Sequence, residues 1–320
     1  MIKDKVINEY KSQLFRRYDD EEYLFYYSAE DFEGLKKESF DFMSPQKNRL
    51  KGYFYSYENP IDGRLVIFDH GLGAGHRAYM KEIELLCRHG FLVYSYDHTG
   101  CRESEGESSN GLLQSLADLD SCISAIRAES EYKDFDISVI GHSWGGFSCA
   151  NICAYHKDIS HIVVISGFVS AKNAISQLLG GPLMFFRKPL YGLEKEANPK
   201  YFSSSAVNAL SDTEAKVLLV YSSDDPLVKK KNHFDVLKKA LDGKDNLKFL
   251  LVDGKGHNPN YTQSAVRALK ECENELRKRF KENKLATPEQ REDFKNSFDW
   301  DKITEQDETV WKEIFETLDE

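Results

Sequence analysis

The residues Gly141-His142-Ser143-Trp144-Gly145 stand directly after the apolar run Ile137-Ser138-Val139-Ile140 and directly before a helical stretch opening at Gly146. A serine between two glycines at a strand-to-helix junction occupies a turn too tight for bulkier neighbours. Its hydroxyl therefore projects above the sheet at a helix N-terminus. Such a hydroxyl is a weak nucleophile near neutral pH until a base takes its proton during attack, so the chemistry calls for a histidine and for a carboxylate that orients it. Two loops downstream offer these types: Asp224 and Asp225 follow the run KVLLVYS, and His257 follows the run LKFLLVD.

These groups can meet only if the elements carrying them lie side by side. From about residue 36, short β-rich runs alternate with longer helical stretches, the pattern of a doubly wound sheet. KESFDFMS and RLKGYFYSY read as an antiparallel lead-in. RLVIFDH, FLVYSYD, ISVIGH, HIVVISG, KVLLVYS and LKFLLVD follow as nearly continuous apolar runs, as parallel strands buried on both faces require. Helices are expected over residues 78–89, 113–129, 146–156, 232–241 and 261–279. In the last of these, Val266, Leu269, Leu276 and Phe280 mark one apolar face that should pack on the sheet. The stretch from Gly167 to Lys216 is too long for a plain crossover, and residues 170–205 read as a small helical lid with LGGPLMFFRKPLYG near its centre. The reading divides the chain into an N-terminal helical extension (1–35), a core (36–169 and 206–285) interrupted by the lid, and an acidic helical C-terminal extension (286–320). In the last of these, Trp311, Ile314, Phe315 and Leu318 share one face.

With strand, nucleophile turn and later loops in this order, the chain resembles the α/β-hydrolase family over roughly residues 36–280, in particular its lysophospholipase, monoglyceride-lipase and serine-aminopeptidase branch. The resemblance implies an eight-stranded, mostly parallel sheet with helices on both faces and a small helical lid. It also implies that the nucleophile is followed in chain order by an acid and a histidine. The family's acid loop has Asp three positions before Val, which in Ser222-Ser223-Asp224-Asp225-Pro226-Leu227-Val228 points to Asp225; the residues alone do not separate it from Asp224. Asp253-Gly254-Lys255-Gly256-His257 matches the loop of the general base, His257. His70-Gly71-Leu72-Gly73 resembles the family's HG-x-G turn, so the backbone N–H groups of Leu72 and Trp144 are the expected oxyanion donors. The loop from Asp97 to Gly106 departs from the family: Thr99 stands where Arg is common, and the residues of this loop are read as structural.

Other chemistries fit less well. HGLGAG lacks the Lys and Ser/Thr of a phosphate loop, and His70, His98 and His142 match no metal-ligand spacing, so neither a metal nor a cofactor is expected. The net charge of -10 argues against nucleic acid as a partner, and most of it lies in residues 301–320. The six scattered cysteines and the charged start MIKDKVINEYKSQLFRRYDD lead to the expectation of a cytoplasmic protein without stable membrane insertion. The expected activity is hydrolysis of a carboxylic ester on a small-molecule acyl substrate of the monoacylglycerol or lysophospholipid kind, with Leu183, Met184, Phe185 and Phe186 of the lid receiving the acyl chain. A serine at position 143 excludes the aspartate-nucleophile dehalogenases and epoxide hydrolases of the same fold. An aminopeptidase-like peptidase, a thioesterase and a non-catalytic ligand-binding homologue remain as alternatives, and the oligomeric state is not readable.

Overall fold

The computed structural model describes residues 2–320. The chain opens with α1 (Ile2–Leu14), and residues 15–35 then run as a largely irregular strap with one 3-10 turn at Ala29–Asp31. The N-terminal extension is therefore helical only in its first part. Next come β1 (Lys36–Ser39), β2 (Phe42–Met43), β3 (Arg49–Leu50), β4 (Gly52–Ser56), β5 (Arg64–Asp69), α2 (Met80–Arg88), β6 (Leu92–Tyr96), α3 (Gln114–Ala128), β7 (Asp136–His142), α4 (Trp144–Ile152) and β8 (Ile159–Ile165). The stretch expected to be a lid contains α5 (Ala171–Leu178), a 3-10 turn at Gly181–Phe186 and α6 (Arg187–Ala197); α7 (Ala206–Ser211) leads back to the sheet. The chain finishes with β9 (Lys216–Ser222), α8 (Phe234–Leu241), β10 (Leu247–Val252), α9 (Gln263–Lys281), α10 (Pro288–Asn296), α11 (Trp300–Ile303) and α12 (Glu308–Asp319).

Eight strands form one sheet in the order β1-β4-β6-β5-β7-β8-β9-β10, while β2 and β3 pair separately. The β1–β4 and β4–β6 pairs are antiparallel and the remaining neighbours parallel. The central strands are buried on both faces, and alternate residues serve opposite cores. In β8, Ile162 and Val164 join the core beneath α3, α4, α5 and α6, whereas Val163 and Ile165 join the core beneath α2 and α12. Helices thus cover both faces.

One packing expectation is overturned. The apolar side of α9 does not lie on the sheet: Leu269, Cys272 and Leu276 pack with Tyr23, Phe294, Trp300 and Ile303 from the strap, α10 and α11. Its place against β8 and β9 is taken by α12, whose Val310, Trp311, Ile314 and Leu318 are buried with Val163, Ile165, Leu218 and Val220. The C-terminal extension is therefore a wall of the core. Its acids pair with basic groups at the sheet end: Glu313 with Lys248, and Glu320 with Lys216 at 2.9 Å. Among the described residues no helix is long and apolar enough to cross a membrane.

Candidate active site

Strand β7 delivers Ser143 at its C-terminal end. The serine has φ 57 and ψ −106, a left-handed conformation costly for a residue with a side chain, and the surroundings enforce it. A Cβ on Gly145 would overlap the carbonyl oxygen of Asp69, and one on Gly141 would overlap that of Gly145. Gly145 is thus demanded by the close approach of the β5 loop, and Gly141 by the turn folding back on itself as α4 begins. The Ser143 N–H donates to Ile165 O at 2.8 Å, tying the turn to β8, and its carbonyl accepts from Phe147 N at 2.9 Å as α4 begins.

Because β7, β8, β9 and β10 are successive neighbours, their C-terminal loops meet above this turn. His257 Nε2 lies 2.8 Å from Ser143 Oγ, and His257 Nδ1 lies 2.8 Å from Asp225 Oδ2. The second oxygen of Asp225 accepts the N–H groups of Leu227 and Val228 at 2.8 and 2.9 Å, which fixes the carboxylate on the ring. Asp224 faces elsewhere: its Oδ1 accepts from Ser222 Oγ at 2.6 Å and from Gly256 N at 3.1 Å, bracing the histidine loop. The carboxylate that reaches the imidazole is Asp225.

His142 supports the same ring from behind. Its Nε2–H donates to the carbonyl oxygen of His257 at 2.8 Å, and its Nδ1 accepts from Tyr79 Oη at 2.7 Å. Complete burial and the neighbouring His257 hold its pKa down to about 3, so it is a neutral imidazole with both nitrogens engaged. Tyr79 Oη in turn accepts the Gly71 N–H at 3.2 Å, linking the His257 loop to the loop that carries Leu72. Sequence reasoning missed Tyr79; no local signal marks a tyrosine ten residues past a strand end.

The loop after β5 is held by buried polar groups. His70 Nδ1 lies 2.7 Å from Gly71 O, while its Nε2 accepts from His98 N at 3.0 Å. His98 sits between Asp69 at 2.9 Å and Asp118 at 3.3 Å. Burial would lower its pKa, but the two carboxylates outweigh that and raise it to about 9. Among the described residues no group of three or more His, Cys, Asp and Glu side chains could hold a metal ion. The amides of Leu72 and Trp144 make no hydrogen bond with another described residue, and both belong to segments that meet at the serine.

Leu183, Met184, Phe185 and Phe186, the four residues expected to receive an acyl chain, do not converge on one enclosed cavity. Met184 and Phe186 are half-buried against the main core, whereas Leu183 is 40% and Phe185 85% exposed. Their 3-10 turn presents alternate sides to protein and solvent, a split that the run of apolar residues does not reveal. Clefts of about 710, 620 and 500 Å³ are lined by other residues. The α6 carboxylate Glu194 is buried: Tyr10 Oη donates to it at 2.6 Å, and the N–H groups of Leu112 and Leu113 donate at 3.1 and 3.3 Å. Leu112 O accepts the Trp144 indole N–H at 2.8 Å, so α6, α1 and the Ser143 turn are joined.

Residues 62–248 match the family described as serine aminopeptidase, S33. The chain belongs to this family of α/β hydrolases. The hydrolase also resembles solved structures of the fold. An esterase of Pyrococcus furiosus, 19% identical, aligns over 84% of this chain and 97% of its own with a TM-score of 0.57. Acetyl xylan esterase 1 of a Thermoanaerobacterium species, 14% identical, aligns over 80% and 88% with a TM-score of 0.54. An α/β hydrolase of a Penicillium species, 15% identical, aligns over 69% and 91% with a TM-score of 0.52. At these identities the likeness is one of fold. No curated protein matches the sequence of the hydrolase.

Proposed function

We propose that this hydrolase is a serine esterase acting on a small acyl ester of the monoacylglycerol or lysophospholipid kind. The observation that carries the reading is the continuous relay of Ser143, His257 and Asp225, with 2.8 Å at each step. Ser143 Oγ attacks the ester carbonyl carbon while His257 Nε2 takes its proton. Asp225 keeps the opposite nitrogen protonated and stabilises the imidazolium. The oxyanion accepts hydrogen bonds from the amides of Leu72 and Trp144, and each such donor is worth about 3–4 kcal/mol in the transition state. Collapse breaks the bond to the alcohol oxygen, which leaves with the proton from His257. Water, deprotonated by the same nitrogen, then attacks the acyl-serine and releases the acid.

Peptidase action would need a carboxylate free to hold the substrate's amine. Glu194 is consumed by Tyr10 and two amides, Glu103 accepts from Tyr53 Oη at 2.7 Å, and Glu105 accepts the Arg49 N–H at 2.9 Å. Of the four carboxylates considered for that role only Glu196 is exposed without a partner among the described residues, and the engagement of the other three favours the ester. Turnover of p-nitrophenyl esters from acetate to palmitate, set beside aminoacyl anilides, tests the reading. Ester hydrolysis is expected, falling at least 10³-fold in Ser143→Ala. Undiminished activity in that variant, or anilide turnover alone, refutes it.

A further inference from the structure

The family match begins at residue 62, yet the strap that precedes it lies against the loop expected to bind the oxyanion. A Cβ on Gly73 (φ +70) would lie 2.6 Å from Tyr18 Cδ1, so the tyrosine ring rests directly on the Gly73 backbone. Tyr18 is itself fixed in the turn after β6: its N–H donates to Gly100 O at 2.9 Å, and its carbonyl accepts from Arg102 N at 2.7 Å.

The arginine next to it tightens the same turn. Arg17 Nη1 donates to Ser104 O and Gly106 O, both at 2.9 Å, and Arg17 Nη2 donates to Arg102 O at 2.6 Å. The turn so shaped presents Arg102, held at φ 46 with a nearly buried side chain. Its guanidinium crosses to the β5 loop, where Nε donates to Ala74 O at 3.1 Å and Nη2 to Gly73 O. Thr99 lies in the same loop. Thr99 itself is buried, with its hydroxyl on Asp118 at 2.9 Å, and sends nothing to residues 71–75.

We propose that the N-terminal strap is a positioning element of the oxyanion loop: Arg17 shapes the 100–106 turn, the turn presents Arg102, and Arg102 together with the Tyr18 ring fixes Gly73 and Ala74 and thereby aims the Leu72 amide. None of these residues touches the reacting atoms. The catalytic consequence rests on the serine-esterase reading; the clamp itself does not.

The test compares Tyr18→Ala and Tyr18→Phe with wild type in the full chain. In Tyr18→Ala, kcat should fall by about tenfold to a hundredfold with KM changed less than about twofold. That loss is smaller than the ~10²–10³ for deleting a donor outright. Affinity for an aryl boronic acid, which forms a tetrahedral adduct at the serine, should fall by the same factor. Tyr18→Phe keeps the ring and should behave as wild type. Amide exchange in residues 71–75 should quicken in Tyr18→Ala alone. A merely structural role for Tyr18 predicts a lower melting temperature with unchanged kcat per folded molecule, and that outcome overturns the proposal, as does unchanged exchange. If wild-type protein neither turns over esters nor binds the boronic acid, the esterase reading fails. Faster exchange in Tyr18→Ala would in that case still uphold the clamp on the loop, and unchanged exchange would refute it.

Discussion

Replacing Asp225 by asparagine is the sharpest probe of the site, because the structure dictates how the new amide must sit. One carboxylate oxygen accepts two backbone N–H groups, from Leu227 and Val228, and the other faces His257 Nδ1 at 2.8 Å. An asparagine that keeps its oxygen on the two amides points its NH₂ at Nδ1. The imidazole must then accept there and carry its proton on Nε2, which faces Ser143 Oγ at 2.8 Å. In that tautomer no lone pair remains to receive the serine proton. The flipped amide restores the productive tautomer but leaves two backbone donors without acceptors, at about 1–3 kcal/mol each. The active rotamer is thus disfavoured by roughly 2–6 kcal/mol, a factor of about 30 to 10⁴. Loss of the charge that stabilises the imidazolium deepens the effect, and about 10⁴-fold in kcat is expected. Asp224→Asn should cost only a few-fold, since an amide oxygen can still accept from Ser222 and Gly256. Steady-state hydrolysis of a p-nitrophenyl ester by both variants, with melting curves to show that each is folded, is the assay. Asp225→Asn within tenfold of wild type, or equal losses at the two positions, would refute the assignment.

Two stability predictions accompany it. Trp311→Ala empties the largest buried side chain of α12, which is only 3% exposed and donates its indole N–H to Gln306 Oε1 at 2.8 Å. Urea unfolding should register a loss of about 3–5 kcal/mol, and a change below about 1 kcal/mol would show that α12 is not part of the core. Glu82 is buried in α2, and desolvation lifts its pKa from 4.5 to about 7 despite a hydrogen bond from Asn260 Nδ2 at 3.1 Å. The folded state therefore holds a proton that the unfolded state has released. Through this group stability falls as pH rises from about 4.5 to 7, by about 3 kcal/mol. In Glu82→Gln that component is absent, so the stability difference between wild type and variant should drift by this amount across the window; a constant difference sinks the argument.

What the sequence disclosed and what it withheld follow from the range of the interactions involved. The turn at Ser143 was legible because its constraint is local: two glycines are needed where a neighbouring backbone comes too close for a Cβ. The apolar runs likewise specified buried parallel strands, since a strand covered on both faces has no polar side to alternate. Whether Asp224 or Asp225 meets the histidine was not legible from the residues alone, because adjacent side chains in a loop diverge according to which backbone amides they cap. The split of the lid residues was hidden for a similar reason, as a short 3-10 turn turns neighbouring apolar side chains to opposite environments.

The helices after β10 show the limit most clearly. Periodicity reveals that α9 and α12 each have an apolar face, but burial is a pairwise matter, and nothing in either helix names its partner. The sheet surface over β8 and β9 accepts one helix. Val310, Trp311, Ile314 and Leu318 give α12 a bulky apolar stripe against these strands, while Lys216 of β9 and Lys248 of the neighbouring β10 meet Glu320 and Glu313. The α9 face, with alanine and cysteine among its members, is thinner and is satisfied by Phe294, Trp300 and Ile303. The same logic applies at the other end of the chain, where the strap read as an appendage from sequence. Its contacts with Gly73 and the 100–106 turn join residues more than fifty positions apart, and Arg17 and Tyr18 acquire their meaning only when those loops are present to receive them. Both terminal segments, lying outside the family match, are therefore integral to the fold, one as a wall of the core and the other as a clamp beside the site.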